Sequence, residues 1–209
     1  MKTKSTLNVP NSLSLLRVCL VPFFMAAIIF MNGKYAVFGR IVPAILFGLT
    51  GFTDMLDGKI ARKYNLVTDF GKFIDPLADK FMVFGALIAI LTSYTYLSEL
   101  FVWVSAIVML RELAITSLRL VVSGKSGIVI AASWWGKIKT VTQIVSIVLI
   151  ILEPVLVADL WGALFGGALY SVVSTPYLSY VAMAAIVITT LGSGIDYLRA
   201  YWPHLDTNK

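Results

Sequence analysis

The chain has 209 residues, of which 59% are hydrophobic and only 13% are charged, whereas about a quarter of the residues of soluble domains are charged. With a mean hydropathy of +0.88 and a formal net charge of +6, this composition excludes an ordinary soluble enzyme. It predicts an all-α polytopic membrane protein, since spans of about 20 residues with short loops fill the chain. A single cysteine, Cys19, excludes a disulfide framework and a cysteine-based metal site.

Six transmembrane helices are predicted after an N-terminal interfacial arm at residues 1–14, in which Asn11 or Ser12 caps the first helix. The spans are Leu15–Met31, Tyr35–Asp54 with a polar continuation to a stop near Asn65, Asp69–Thr92, Leu100–Val122, Trp134–Pro154 and Tyr180–Tyr201. Ser123–Gly127 is predicted to be a loop. Residues 15–203 then form one transmembrane catalytic domain, and residues 204–209 form a C-terminal tail.

The segment Val155–Leu178 is ambiguous because it is apolar enough to span, yet Asp159 interrupts it and its glycines weaken an isolated helix. We expect a folded or interfacial excursion on the outer side. With six spans and a cytoplasmic N-terminus, all of the 17 lysines and arginines except Lys34 and Arg40 lie towards the cytoplasmic side. This asymmetry predicts a multi-pass protein of the inner membrane with a cytoplasmic active site. It also explains the net charge better than nucleic-acid binding does.

Four aspartates form two pairs with helical spacing. Asp54 and Asp57 are three residues apart, and Asp75 and Asp79 are four apart, so each pair lies on one helix face. Such an oxygen-rich set suits Mg²⁺ or Mn²⁺ rather than zinc. Two divalent ions would relieve the repulsion among four acids and can bridge a pyrophosphate. The alternative is a set of helix-end charges paired with nearby lysines, and it is disfavoured. These lysines are Lys59, Lys63, Lys72 and Lys80.

The stretch reads D-x-x-D-G-x-x-A-R, then eight residues, then G-x-x-x-D-x-x-x-D. This pattern is similar to the signature of the CDP-alcohol phosphotransferases and matches every fixed position. The resemblance implies that family's fold, a homodimer, and metal ligation by Asp54, Asp57 and Asp75. It also implies that Asp79 is the general base and lies close to a metal. The implied CDP pocket contains Gly58, Ala61, Arg62 and Gly71, the last through close packing or nucleotide approach.

A second group is basic. Arg111 and Arg119 are eight residues apart, about two helical turns and on one face, and Lys137 and Lys139 follow in the next span. Positive charge inside apolar helices is costly without an anion. These four residues therefore predict a site for the phosphate of an anionic acceptor. The alternative is ion pairing, especially of Arg111 with Glu112 or Asp79.

The runs VPNSLSLLR, RELAITSLR and GKIKT resemble the bacterial phosphatidylglycerophosphate synthases of that family, in which threonine often stands at the position of Ser14. The resemblance implies transfer of a phosphatidyl group from CDP-diacylglycerol to glycerol 3-phosphate, with release of CMP. One alternative is a related transferase that uses inositol phosphate, serine or phosphatidylglycerol. Another is a divalent-cation transporter, disfavoured because the polar residues stop on one side of the predicted membrane.

Overall fold

The computed structural model describes residues 9–32, 37–63, 68–126, 134–157 and 176–204. Six α-helices account for most of them: α1 (Val9–Met31), α2 (Phe38–Lys63), α3 (Asp69–Ser93), α4 (Ser98–Ser126), α5 (Trp134–Pro154) and α6 (Tyr177–Tyr201). Short 3-10 segments at Thr95–Leu97 and Trp202–His204 precede α4 and follow α6. No strand occurs within the described ranges, and the predicted all-α fold is confirmed.

Four segments are long and apolar enough to cross a membrane: Asn11–Met31, Thr95–Gly124, Trp134–Val157 and Tyr177–Tyr201. The chain is therefore a multi-pass membrane protein. The apolar part of α2, Phe38–Thr53, is shorter than these segments. The assignment of α2 and α3 as two further spans stays a prediction.

Several predicted helix ends agree with the structure and others are wrong. The starts of α3 at Asp69 and α5 at Trp134 are confirmed. The N-cap prediction at Asn11 or Ser12 is wrong, because α1 already begins at Val9. The predicted loop at Ser123–Gly127 is wrong as far as Ser126, since α4 continues to that residue. The stop near Asn65 and the segment 158–175 of the predicted excursion lie outside the described residues.

The chain divides into two compact units. The first comprises Met1–Tyr96 with Ile151–Thr175, and the second comprises Leu97–Ile150 with Pro176–Lys209. In the first unit, α1 packs against both α2 and α3. An edge-on contact of Phe24 with Phe47, with ring centroids 5.6 Å apart, joins α1 to α2. Close contacts of this kind stabilise the packing of α1 on α2, since helices in a membrane associate largely through van der Waals packing.

The buried face of α1 changes character along the helix. Asn11, Ser14 and Arg17 recur every three residues and are at most 2% exposed, so they share one face. Further along the same helix, Phe24 and Ile28 are buried and apolar. The polar part of this face therefore lies beside the start of α3, where Asn11 and Ser14 find their partners.

The second unit is built on α4 and α6, which pack against each other. Ile115 and Val122 of α4 are buried in one cluster with Tyr197 and Tyr201 of α6. The two tyrosine rings stack, with centroids 6.2 Å apart and an interplanar angle of 21°. Glycine lets α5 approach α6 closely, because a Cβ on Gly136 would lie 3.0 Å from the hydroxyl of Tyr197.

Close packing of α1 on α3 gives a testable prediction at Gly85. A Cβ at this position would lie 2.9 Å from Cγ1 of Val21 and 2.9 Å from Sδ of Met25. The methionine can move, but the β-branched valine has little rotamer freedom. We expect Gly85→Ala to lower the midpoint of thermal unfolding in detergent, since overpacking costs about 1–3 kcal/mol.

Gly48→Ala is the matched control, because a Cβ at Gly48 would meet nothing within 4 Å. Alanine at position 48 of α2 should leave the free energy of unfolding unchanged or raise it by up to about 1 kcal/mol. Equal midpoints for the two variants would contradict the packing described here.

Candidate functional site

The acidic residues lie on two helices of the first unit that contact each other. Asp54 and Asp57 belong to the last turns of α2, and Asp75 and Asp79 belong to the first turns of α3. The helical spacing that the sequence predicted for each pair is therefore present in the backbone. The side chains of residues 54–63, which include the predicted CDP-pocket residues Gly58, Ala61 and Arg62, lie outside the described part of the chain.

Asp75 is held by a residue of α1. The hydroxyl of Ser14 donates a hydrogen bond of 2.6 Å to Oδ1 of Asp75. Ser14 is fully buried, whereas Asp75 is exposed and Asp79, one turn later, is partly buried. A hydrogen bond to a carboxylate is short and strong because the acceptor is charged. Ser14 therefore fixes the orientation of Asp75 through one of its two carboxylate oxygens.

A second contact fastens α1 to the start of α3. Oγ1 of Thr68 accepts hydrogen bonds from Nδ2 of Asn11 (2.8 Å) and from the backbone amide of Gly71 (3.0 Å), so Thr68 is the N-cap of α3. A Cβ on Gly71 would lie only 2.6 Å from Oδ1 of Asn11. Of the two reasons that the sequence offered for Gly71, the structure supplies close packing.

The described carboxylates suit a hard divalent cation. Asp75 and Asp79 offer oxygen donors on one helix face, and the Ser14 hydroxyl that orients Asp75 is neutral and does not itself cancel the charge of the carboxylate. Lys80, one of the lysines of the alternative interpretation, donates to the Pro76 carbonyl (3.3 Å). No group of three potential ligands occurs among the described side chains. These do not include Asp54 and Asp57.

In the second unit, one carboxylate serves two cations. Glu112 of α4 accepts from Nη1 of Arg111 (3.0 Å) and from Nζ of Lys139 on α5. All three side chains are largely buried, with exposed fractions of 11% for Arg111, 14% for Glu112 and 7% for Lys139. The ion pairing that the sequence left open for Arg111 is therefore present, with Glu112 as the partner.

The two arginines of α4 meet at one ring of α6. The guanidinium carbons of Arg111 and Arg119 each lie 5.5 Å from the centroid of Tyr197. Nη2 of Arg119 also donates to the hydroxyl of Tyr197 (3.3 Å), and Nη2 of Arg111 donates to the hydroxyl of Ser193. The prediction that Arg111 and Arg119 share one face of α4 is confirmed.

Lys137 does not join this group. It is exposed, and its ammonium lies 5.7 Å from the ring of Trp134 on its own helix. Lys139 is two residues further along α5, which is about 200° around a helix. The four predicted phosphate ligands therefore separate into a cluster of three and one exposed lysine. We call Arg111, Arg119 and Lys139, together with Glu112, the basic cluster.

Four residues that support the acidic and basic side chains were not predicted from the sequence: Asn11, Ser14, Ser193 and Tyr197. The first two left a signal, since polar residues recur at helical spacing in an otherwise apolar α1. Ser193 and Tyr197 are also four residues apart on α6, but a serine and a tyrosine in an apolar helix are too common to indicate a site. Their role depends on which helix packs against α4.

The chain is similar over most of its length to one family model and to several known proteins. The family model described as CDP-alcohol phosphatidyltransferase matches residues 7–192. The CDP-diacylglycerol--glycerol-3-phosphate 3-phosphatidyltransferase of Bacillus subtilis is 37% identical, with 96% of this chain and 98% of the relative covered. A probable phosphatidylglycerophosphate synthase of Mycobacterium tuberculosis is 37% identical over 91% of this chain and 80% of the relative. A CDP-diacylglycerol--glycerol-3-phosphate 3-phosphatidyltransferase of Haemophilus influenzae is 34% identical, with 92% of each chain covered. The chain belongs to the CDP-alcohol phosphatidyltransferase family.

Proposed function

We propose that the chain transfers the phosphatidyl group of CDP-diacylglycerol to sn-glycerol 3-phosphate, giving phosphatidylglycerophosphate and CMP. The basic cluster is the observation that carries this proposal. Arg111 and Lys139 share the carboxylate of Glu112, and the nearby Arg119 contacts the neutral side chain of Tyr197, so among the described side chains of this cluster positive charge exceeds negative charge. Since such an excess is costly in an apolar environment, it favours an acceptor that carries its own negative charge. The names of the relatives from Bacillus subtilis and Haemophilus influenzae contain the same acceptor.

The acidic residues would supply the chemistry. Asp54, Asp57, Asp75 and Asp79 would hold two divalent ions, Mg²⁺ or Mn²⁺, which suit carboxylate oxygen ligands. When bound, such ions stabilise negative charge on a pyrophosphate and on the departing phosphate. Asp79 would take the proton from the acceptor hydroxyl, whose oxygen then attacks the β-phosphorus that carries the lipid. The bond to CMP breaks as the new phosphodiester forms.

The residues proposed for the CDP pocket follow from the family signature. Gly58, Ala61 and Arg62 would form the CDP pocket, in which the small residues allow the nucleotide to approach the backbone. Gly71 would support this pocket by letting α1 pack closely against the start of α3. The acceptor phosphate would contact Arg119 first, with Arg111 and Lys139 behind it, whereas Lys137 would meet membrane headgroups or the entering anion. We further propose a homodimer, which the family resemblance implies. A location in the inner membrane with a cytoplasmic active site is supported by the charge asymmetry along the chain. Family membership leaves the cation transporter without support.

Acceptor choice is the first test of this function. Purified chain in detergent, supplied with CDP-diacylglycerol and Mg²⁺, should release CMP with glycerol 3-phosphate and not with serine, inositol phosphate or phosphatidylglycerol. EDTA should abolish the release, and added Mg²⁺ or Mn²⁺ should restore it. Release with serine or phosphatidylglycerol instead would contradict the interpretation of the basic cluster, because neither needs a site for a phosphate monoester.

The role of Asp79 can be tested with Asp79→Asn, which keeps the shape of the side chain and removes its basicity. We expect turnover to fall by about 10²–10⁴-fold, the usual contribution of a general base. Mn²⁺ binding, measured by electron paramagnetic resonance, separates loss of the base from loss of metal. Near-normal turnover with intact Mn²⁺ binding would show that another group accepts the proton.

The contact of Ser14 with Asp75 predicts that Ser14→Ala weakens metal binding by about 10–100-fold, as is usual when a residue that orients a ligand is removed. Ser14→Thr keeps the hydroxyl and should bind Mn²⁺ nearly as well as the unaltered chain. Ser105→Ala is a matched control, since Ser105 is a buried helical serine whose hydroxyl donates to the Phe101 carbonyl of its own helix. Equal Mn²⁺ affinity in Ser14→Ala and Ser105→Ala would exclude an orienting role for Ser14.

A further inference from the structure

Tyr197 has more contacts with charged side chains than an ordinary core tyrosine would need. Its ring lies 5.5 Å from both guanidinium carbons of α4, and its hydroxyl accepts from Arg119. The face of an aromatic ring attracts a cation, and the attraction is stronger where water is excluded. A single side chain thus stabilises two like charges that would otherwise repel each other.

The position of Tyr197 is itself fixed by its neighbours. The side chain is only 5% exposed and belongs to a cluster with Ile115, Val122 and Tyr201. The stacked ring of Tyr201 lies on one side, and the backbone of Gly136 lies close to the hydroxyl, where a Cβ would come within 3.0 Å. A ring held in this way can fix the direction of a long flexible side chain that rests on it.

The arginines differ in how their charge is neutralised. Arg111 shares the carboxylate of Glu112 with Lys139. Arg119 is exposed, and its hydrogen bond to Tyr197 goes to a neutral oxygen. A guanidinium has five N–H donors. Within the described ranges Arg119 uses one of them, on Tyr197, so its charge and its other donors are available to a ligand. In addition, Nε of Arg111 is buried and has no hydrogen-bond partner within the described ranges, and a buried donor of this kind points to a missing acceptor.

We infer that Tyr197 is a positioning residue that aims Arg119, with Arg111 behind it, at the phosphate of the acceptor, and so contributes to the choice of a phosphate monoester over a neutral alcohol. This inference rests on the proposed function. Tyr197 does not touch the reacting atoms. It acts by reducing the conformational entropy that Arg119 loses when it binds an oxyanion.

The test compares two substitutions with a control one turn away. Tyr197→Phe keeps the ring and removes the hydroxyl, and we expect the KM for glycerol 3-phosphate to rise by about 3–10-fold, as for the loss of one hydrogen bond of ordinary net strength. Tyr197→Leu also removes the ring and should raise this KM by a further factor of about 5–30, the loss of one or two cation–π contacts. In both variants kcat and the KM for CDP-diacylglycerol should stay within about two-fold of the original values, because an interaction equal in ground and transition states affects only binding.

Tyr201→Phe is the matched control. Tyr201 is as buried as Tyr197 and stacks on it, but its hydroxyl has no hydrogen-bond partner among the described residues. A general loosening of this core should therefore affect Tyr201→Phe as much as Tyr197→Phe. If both raise the KM equally, or if Tyr197→Phe lowers kcat alone, the inference is wrong.

A double-mutant cycle shows whether Tyr197 acts through Arg119. Once Arg119→Ala has removed the guanidinium, adding Tyr197→Phe should change the KM for glycerol 3-phosphate by less than about two-fold, since residues in direct contact are not additive. Full additivity would overturn the inference. Glycerol 3-phosphate binding to the full chain without CDP-diacylglycerol, measured by calorimetry, should show the same ranking of variants.

The outcomes for the inference and for the proposed function can be told apart. If the unaltered chain releases no CMP with glycerol 3-phosphate but does so with another acceptor, the proposed function fails and the inference fails with it. If the unaltered chain uses glycerol 3-phosphate and Tyr197→Phe has the same KM, only the inference fails. A selective rise in the KM of Tyr197→Phe supports both.

Discussion

The constraint on which this structure depends is the cost of placing charge among apolar helices. A cation near the centre of a bilayer-spanning segment costs several kcal/mol unless it finds a partner or leaves the apolar region. Arg111 and Lys139 lie in segments apolar enough to cross a membrane, and both are paired with Glu112. The carboxylate does not merely offset one arginine next to it in sequence. It also links α4 to α5 through Lys139.

The charged side chains of the two units are held in place by different kinds of contact. In the second unit, the carboxylate of Glu112 pairs with Lys139, and the ring face of Tyr197 contacts Arg119. Both cations stay charged, and these contacts fix their orientation. In the first unit, Asp75 is oriented by a hydroxyl, which has no charge of its own to cancel that of the carboxylate. A carboxylate that is oriented by a neutral group is suited to binding a cation that is not part of the chain. A guanidinium that is held on the face of an aromatic ring is suited to binding an anion.

Much of this could be predicted from the sequence, because the strongest patterns are local. Helix spacing placed Asp75 and Asp79 on one face, and hydropathy gave the starts of α3 and α5. The errors arose where local signals compete. Asn11 has the chemistry of a helix cap, yet it lies inside α1, and its amide bonds to Thr68 across 57 positions of sequence. Ser123 and Gly124 have the composition of a loop, yet α4 continues through them.

Contacts between helices could not be predicted, and they decide how the basic residues are used. Lys137 and Lys139 look equivalent in the sequence, but their positions around α5 make one exposed and the other buried. Hydropathy does not fix the rotation of a helix about its axis, so only packing separates the two. The same holds for Tyr197, whose neighbours in sequence give no sign of a role. It becomes important because α6 packs against α4, which brings one ring to two guanidinium groups. In a membrane enzyme of this kind, residues that perform chemistry can be recognised from their spacing, whereas those that aim them are defined by the neighbouring helix.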